Sequence, residues 1–200
     1  MDKSCSIVLP NQLFKESLFQ KKNYKVFLVE EYLFFNQYKF HKQKISFHRA
    51  TMKFYYDYLN TFGCNTEYVE SFSKESNIKL LIEKINNLGY EIIEIYDPVD
   101  YLLNKRLKNA CTELNIRLVI HETELFINTN EELKDFFKES KKKFFQTSFY
   151  KSERKKRNVL IDIEGKPEGG EWTYDILNRK KFPKDEIPPK IINPKKNKYV

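Results

Sequence analysis

Few side chains in this sequence could move a proton at neutral pH. His41 and His48 stand seven residues apart, so a helix over Lys42–Phe62 would bring them to one face, with Lys44 beside them. Polar groups in an apolar sector need partners, which makes this face the first place to look for a ligand. His121 is followed by Glu122, a pairing that could serve as general acid and base. There is no His-Glu-x-x-His spacing and no nucleophile elbow. A lone histidine at a strand end is more often a hydrogen-bonded structural residue, so a hydrolase built on His121–Glu122 is the weakest reading. Cys5, Cys64 and Cys111 are scattered without a Cys-x-x-Cys pair, which argues against a disulfide framework or a closed zinc site.

Two further groups could bind rather than react. Strand-like runs end at Leu9 and Glu30, and next to those ends lie Pro10, Asn11, Gln12, Glu30 and an aromatic loop. Amide, carboxylate, imidazole and flat rings together suit a planar heterocycle. The Pro10–Phe14 turn has no glycine-rich phosphate cradle. The plainer reading is that Glu30 caps backbone amides and the histidines are satisfied core residues. The second group is the basic stretch Lys141–Arg157, where Lys141, Lys142, Lys143, Lys151, Arg154, Lys155, Lys156 and Arg157 interleave with Phe144, Phe145, Phe149 and Tyr150. It reads either as a phosphate-tracking surface with Arg154, Lys155 and Arg157 facing DNA, or as a solvated face whose apolar stripe docks on the domain.

The elements that must position these groups alternate. Cys5–Leu9, Tyr24–Val29, Thr66–Val69, Tyr90–Tyr96 and Ile116–Ile120 read as strands. Lys42–Phe62 reads as a long helix stopping near Gly63, covered on most of its circumference, with Lys42, Arg49, Lys53, Asp57 and Asn60 in a narrow polar stripe. Asn77–Leu88 is a second helix stopping at Gly89. A third begins with Asp97 as N-cap and Pro98 at its first position. The alternation predicts an α/β fold, a five-stranded parallel sheet with helices on both faces. Residues 1–125 form this domain, 126–165 a helical extension with helices near Glu131–Lys138 and Lys143–Asn158, and 166–200 a linker or docking arm.

Composition narrows the class. Two hundred residues with 40 % hydrophobic content, 17 Phe and 13 Tyr can bury a sizeable core. A net charge of +8 favours polyanionic partners or reflects base composition alone. No window approaches a membrane span, and the first ten residues lack a signal-peptide run. The expectation is a reduced, cytoplasmic protein without a membrane partner.

Pro167–Pro183 reads PEGGEWTYDILNRKKFP, in which Gly169, Gly170, Trp172, Tyr174, Asp175, Asn178 and Arg179 form a specific pattern. Three more runs accompany it in order: IVLPNQL, FHKQKISFHRATMKFY and FYKSERKKRNVLI. Together they resemble the cryptochrome/photolyase family, in the photolyase-related bacterial branch that carries an iron–sulfur cluster. The resemblance spans nearly the whole chain and corresponds to the N-terminal, Rossmann-like α/β antenna domain only. It implies a truncated or split form whose helical partner, binding FAD and a 4Fe-4S cluster, is absent; this chain alone is not expected to be catalytic. It also implies a ribityllumazine-type antenna chromophore, with a pocket carried over onto Asn11, Gln12, Glu30, Phe34, Gln37, His41 and His48. Where the family has Gly-Asp, this chain has Pro10–Asn11; Phe34 replaces an acid, Gln37 an aromatic and His48 an aliphatic residue. The implied role is light-dependent DNA repair or blue-light sensing by the assembled flavoprotein, with DNA as a further partner. A non-catalytic nucleic-acid or partner-binding α/β module is the alternative.

Overall fold

The computed structural model describes residues 3–175, 177–193 and 198–199. Ile176 of the motif run and Pro194 of the proline-bearing tail lie outside the described residues. The chain divides into two compact units, Met1–Ile127 with Lys195–Val200, and Asn128–Pro194.

In the first unit, β1 (Ser4–Val8), β2 (Lys25–Val29), β3 (Asn65–Val69), β4 (Ile92–Tyr96) and β5 (Arg117–His121) form one parallel sheet in the order β3-β2-β1-β4-β5. The order reverses between β1 and β4, the kind of switch point beside which open parallel sheets bind ligands. β2 is apolar on both faces because both are covered, whereas β1 and β4 place Ser6 and Glu94 on one face. Cys5, Ile7, Leu9, Phe27, Val29, Ile93 and Ile95 pack with Ile78, Leu81, Ile82 and Ile85 of α3 (Ile78–Asn87) and Leu103, Leu107 and Ala110 of α4 (Tyr101–Glu113). Val8, Val26 and Leu28 form another cluster with Met52, Tyr55 and Leu59 of α2 (Lys42–Thr61). A four-residue helix, α1 (Tyr32–Phe35), leads from β2 toward α2.

Most helix limits follow local signals. Gly63 and Gly89 take φ of +72° and +76° just beyond α2 and α3, the left-handed turn that ends a helix at little cost for glycine. The start of α4 differs from expectation. Asp100, not Asp97, is its N-cap, accepting the Leu103 N–H at 2.7 Å. Asp97 is held at the end of β4, where its N–H donates to the His121 carbonyl at 2.8 Å and its carboxylate accepts from Val99 N–H at 2.9 Å. Sheet pairing therefore delays the helix by one turn.

The long helix is also less enclosed than its sequence suggests. Ala50, Met52, Tyr55 and Leu59 are buried, but Phe47 and Phe54 are 66 % and 54 % exposed. A helix lying on a sheet buries one stripe, and the opposite flank needs a further layer. That flank borders a groove of about 450 Å³ lined by Leu13, Lys15, Phe47, Ala50, Thr51, Phe54, Tyr55 and Tyr58. Its polar stripe is engaged rather than simply solvated: Lys53 pairs with Glu70 at 2.5 Å and Asp57 with Lys198 at 2.6 Å.

The second unit contains α5 (Asn130–Phe136) and α6 (Gln146–Arg157). A capping box between Thr129 and Glu132 starts α5. Phe136, Phe137, Phe144 and Phe149 form a ring cluster with centroids 4.9–5.3 Å apart. Glu132 binds Lys156 at 2.7 Å and Arg157 at 3.0 Å, joining the two helices.

Candidate functional site

At the carboxyl edge of the sheet, the expected pocket residues divide into structural and available groups. Gln12 is buried, with Oε1 accepting from the Leu9 N–H at 3.2 Å and Nε2 donating to the Tyr96 carbonyl at 2.8 Å. It ties the turn after β1 to β4. Glu30 is fully buried and accepts from Arg49 Nε at 2.7 Å, Arg49 Nη2, Tyr68 Oη at 2.7 Å and the Ser71 N–H at 2.8 Å. Burial alone would raise its pKa, yet these donors outweigh burial and hold it below the usual carboxylate value. His41 is exposed and caps α2, accepting from the Gln43 N–H at 3.2 Å. Gln37 is half-buried, its N–H donating to the Tyr32 carbonyl at 3.0 Å.

Phe34 and His48 do come together, edge to face, with centroids 6.3 Å apart. Burial and then the Lys44 charge lower the His48 pKa, which favours a neutral imidazole. Asn11 donates weakly to the Pro98 carbonyl at 3.4 Å, while its buried Oδ1 has no hydrogen-bond partner among the described residues.

Two residues that sequence reasoning passed over share this property. Glu31 is fully buried; its Oε2 caps α1 through the Leu33 N–H at 2.6 Å, while Oε1 lacks a hydrogen-bond partner among the described residues, with Arg106 Nη1 3.8 Å away. Burial raises its pKa. Asn104 donates to Asp97 at 3.3 Å, which turns a buried, unpartnered Oδ1 the other way. The signal for Glu31 was the strand alternation itself, which sends consecutive acids after Val29 to opposite faces. This end of the unit thus holds buried acceptors in the segments after β1, β2 and β4, and separately the Phe34–His48 contact beside α2. Among the described residues no cluster of His, Cys, Asp and Glu could hold a metal ion.

His121 pairs not with Glu122 but with Glu94 across β4 and β5, at 2.9 Å. Tyr24 Oη donates to the same carboxylate at 2.7 Å. These bonds tie the strand ends together and leave Glu122 exposed.

In the second unit, the two motif segments fold onto each other. Asp162 turns the chain, its Oδ1 accepting from the Glu164 N–H at 3.0 Å and the Lys166 N–H at 2.8 Å. Arg154 is buried and donates to the carbonyls of Val159 at 3.1 Å, Leu160 at 2.5 Å and Trp172 at 3.5 Å. It faces inward and anchors the Gly-Gly-x-Trp segment to α6. Of the three residues expected to face DNA, Arg157 is engaged by Glu132 and Glu153, and Lys155 stands exposed. Gly169, at φ +80°, is required by close approach: a Cβ there would lie 2.4 Å from Tyr174 Oη, which donates to the Gly169 carbonyl at 2.8 Å. Asn178 and Arg179 form a short 3-10 turn after Asp175, and Gly170 takes φ +83°. A cavity of about 380 Å³ results, with Tyr150, Leu160, Glu168, Trp172, Tyr174 and Asp175 among its walls.

The first unit thus defines an all-parallel α/β protein with buried acceptor oxygens near the carboxyl edge of its sheet. Residues 6–200 match the family described as deoxyribodipyrimidine photo-lyase-related protein, and the chain belongs to that family. It is also similar to Uncharacterized protein R852 of Acanthamoeba polyphaga mimivirus, 36 % identical over 191 residues that cover 90 % of this chain and 96 % of that protein. Among the described residues no helix is long and apolar enough to cross a membrane.

Proposed function

We propose that this chain is the antenna-type module of a photolyase-related flavoprotein, holding a ribityllumazine-type chromophore at the carboxyl edge of its sheet. The observation that carries this reading is a pair of buried acceptors without a hydrogen bond among the described residues, Asn11 Oδ1 and Asn104 Oδ1, with Glu31 Oε1 met by Arg106 at 3.8 Å, at the edge where parallel α/β sheets bind ligands. A heterocycle bearing hydroxyl and N–H donors supplies what these oxygens lack. Phe34 offers a stacking face and neutral His48 a polar wall without charge. Glu30 and Gln12 fix the segments around the ligand rather than touch it, since their polar atoms are already engaged.

The chromophore would supply light absorption; the protein's own residues would orient it and keep water from it. Repair or signalling then requires the helical chain that binds FAD and the iron–sulfur cluster, and the exposed flank of α2 with its groove is an apolar surface of the kind such a partner covers.

The test is binding of ribityllumazine to the purified chain, followed by near-ultraviolet and blue absorption after gel filtration. Retained absorption that falls at least tenfold in Asn11→Leu and in Phe34→Ala supports the reading. A chain that retains no chromophore at millimolar concentration refutes it.

A further inference from the structure

The cavity in the second unit has a chemistry of its own. We propose that it takes a single unpaired nucleobase carrying an exocyclic amino group, from single-stranded nucleic acid, with Lys151 and Lys155 meeting the adjoining phosphates. This goes beyond the antenna reading and does not depend on it.

Four observations point to a base. The cavity, at about 380 Å³, lies near the small end of ligand pockets and admits one ring system with its sugar rather than a duplex. Three aromatic side chains, Tyr150, Trp172 and Tyr174, contribute to its walls, and unstacked bases are held on such faces. Arg154, Glu168 and Asp175 also line it; the Arg154 guanidinium is taken up by the carbonyls of Val159, Leu160 and Trp172, while neither carboxylate is in an ion pair among the described residues. Carboxylates accept from amino groups of bases and repel phosphate, so a base rather than a phosphate is the group that enters. Finally, the Lys151 and Lys155 ammoniums lie 5.6 and 5.3 Å from the centre of the Trp172 ring. Neither is in an ion pair among the described residues, whereas Lys156 and Arg157 of the same helix are matched by Glu132. These two ammoniums and Arg154 lie over the Trp172 ring, so an entering base takes the ring surface they leave open and the lysines swing out to its backbone phosphates.

The arrangement is held in place rather than incidental. Buried Arg154 fixes Trp172 through its carbonyl and its ring, and Gly169 admits the Tyr174 hydroxyl. A lysine-rich peptide would meet the two carboxylates but would have to approach past Lys151 and Lys155, which disfavours it.

Trp172 is the single tryptophan of the chain, so its emission reports on this cavity. The full chain is titrated at low salt with short oligo(dC), oligo(dA) and oligo(dT). Quenching by oligo(dC) and oligo(dA) at concentrations at least fivefold lower than by oligo(dT), which lacks an amino group, supports the proposal. Lys151→Ala and Lys155→Ala should each reduce the log–log salt slope by about 0.7, the single-strand value per phosphate. Asp175→Asn, checked for unchanged emission without ligand, should shrink the oligo(dC)-to-oligo(dT) ratio. The proposal is overturned by absent quenching, by equal response to all three oligonucleotides, by tighter binding of duplex, or by equal quenching with heparin or a lysine-rich peptide. The oligonucleotide comparison on the unmodified chain stands even if a variant fails to fold.

Discussion

Replacing Glu30 by glutamine tests whether this carboxylate holds the first unit together or waits for a ligand. Its two oxygens accept four hydrogen bonds, from Arg49 Nε and Nη2, Tyr68 Oη and the Ser71 N–H. The amide in Glu30→Gln keeps one acceptor and turns an NH2 group toward donors. Removing one partner of a buried ion pair costs about 3–5 kcal/mol. Arg49 is 39 % exposed and can rehydrate, so about 2–3 kcal/mol is expected here. For a unit of this size that is a Tm lower by roughly 6–12 °C. Thermal unfolding followed by circular dichroism at pH 7 measures it. Because the folded carboxyl titrates below its unfolded value, its contribution is fully present above about pH 4.3 and is lost as pH falls through the folded pKa. The gap between the two proteins should therefore close in acid. A change below about 0.5 kcal/mol at pH 7, or a gap that widens in acid, would refute the structural role.

Other outcomes follow from particular contacts. Gly169→Ala should cost about 1–2 kcal/mol in left-handed backbone alone, and its Cβ would displace the Tyr174 hydroxyl; a red-shifted Trp172 emission checks this, and an unchanged spectrum and Tm would count against it. By NMR titration His48 should show a pKa below the ordinary value of about 6.5, because burial and Lys44 favour its neutral form; its stability contribution is present above that pH and lost as pH falls through the folded value. The thiols of Cys5 and Cys111, raised to about 12 and about 11 by burial, should react with a thiol reagent at pH 8 only after denaturation. Rapid labelling of the native chain at either cysteine would contradict their placement.

The sheet and its helices were legible because their signals are local. Apolar runs such as KVFLV and the glycines at 63 and 89 mark elements from within a few residues. The strand order was not legible, since nothing within β1 states that β4 rather than β3 lies beside it. The same limit explains the start of α4: Asp97-Pro98 is a good helix opening in isolation, and only pairing with the end of β5 moves the cap to Asp100. The apparent all-round apolarity of α2 could not reveal that Phe47 and Phe54 would lack a covering layer.

At the sites the division is similar. Composition and motif pointed to Glu30, Asn11, Phe34, His48 and the Gly-Gly-x-Trp run as places where polar, aromatic and small residues gather. Which of their atoms are already engaged depends on partners distant in the chain. Glu30 is satisfied by residues 38 and 41 positions away, and Arg154 turns inward toward a carbonyl 18 positions on. Glu31 and Asn104 became visible only when folding buried an oxygen of each without a donor. Residue type and spacing thus determined the elements and the family. Only the tertiary structure decided which polar atoms are engaged and which are left without a hydrogen bond, because hydrogen-bond satisfaction is a property of neighbours in space.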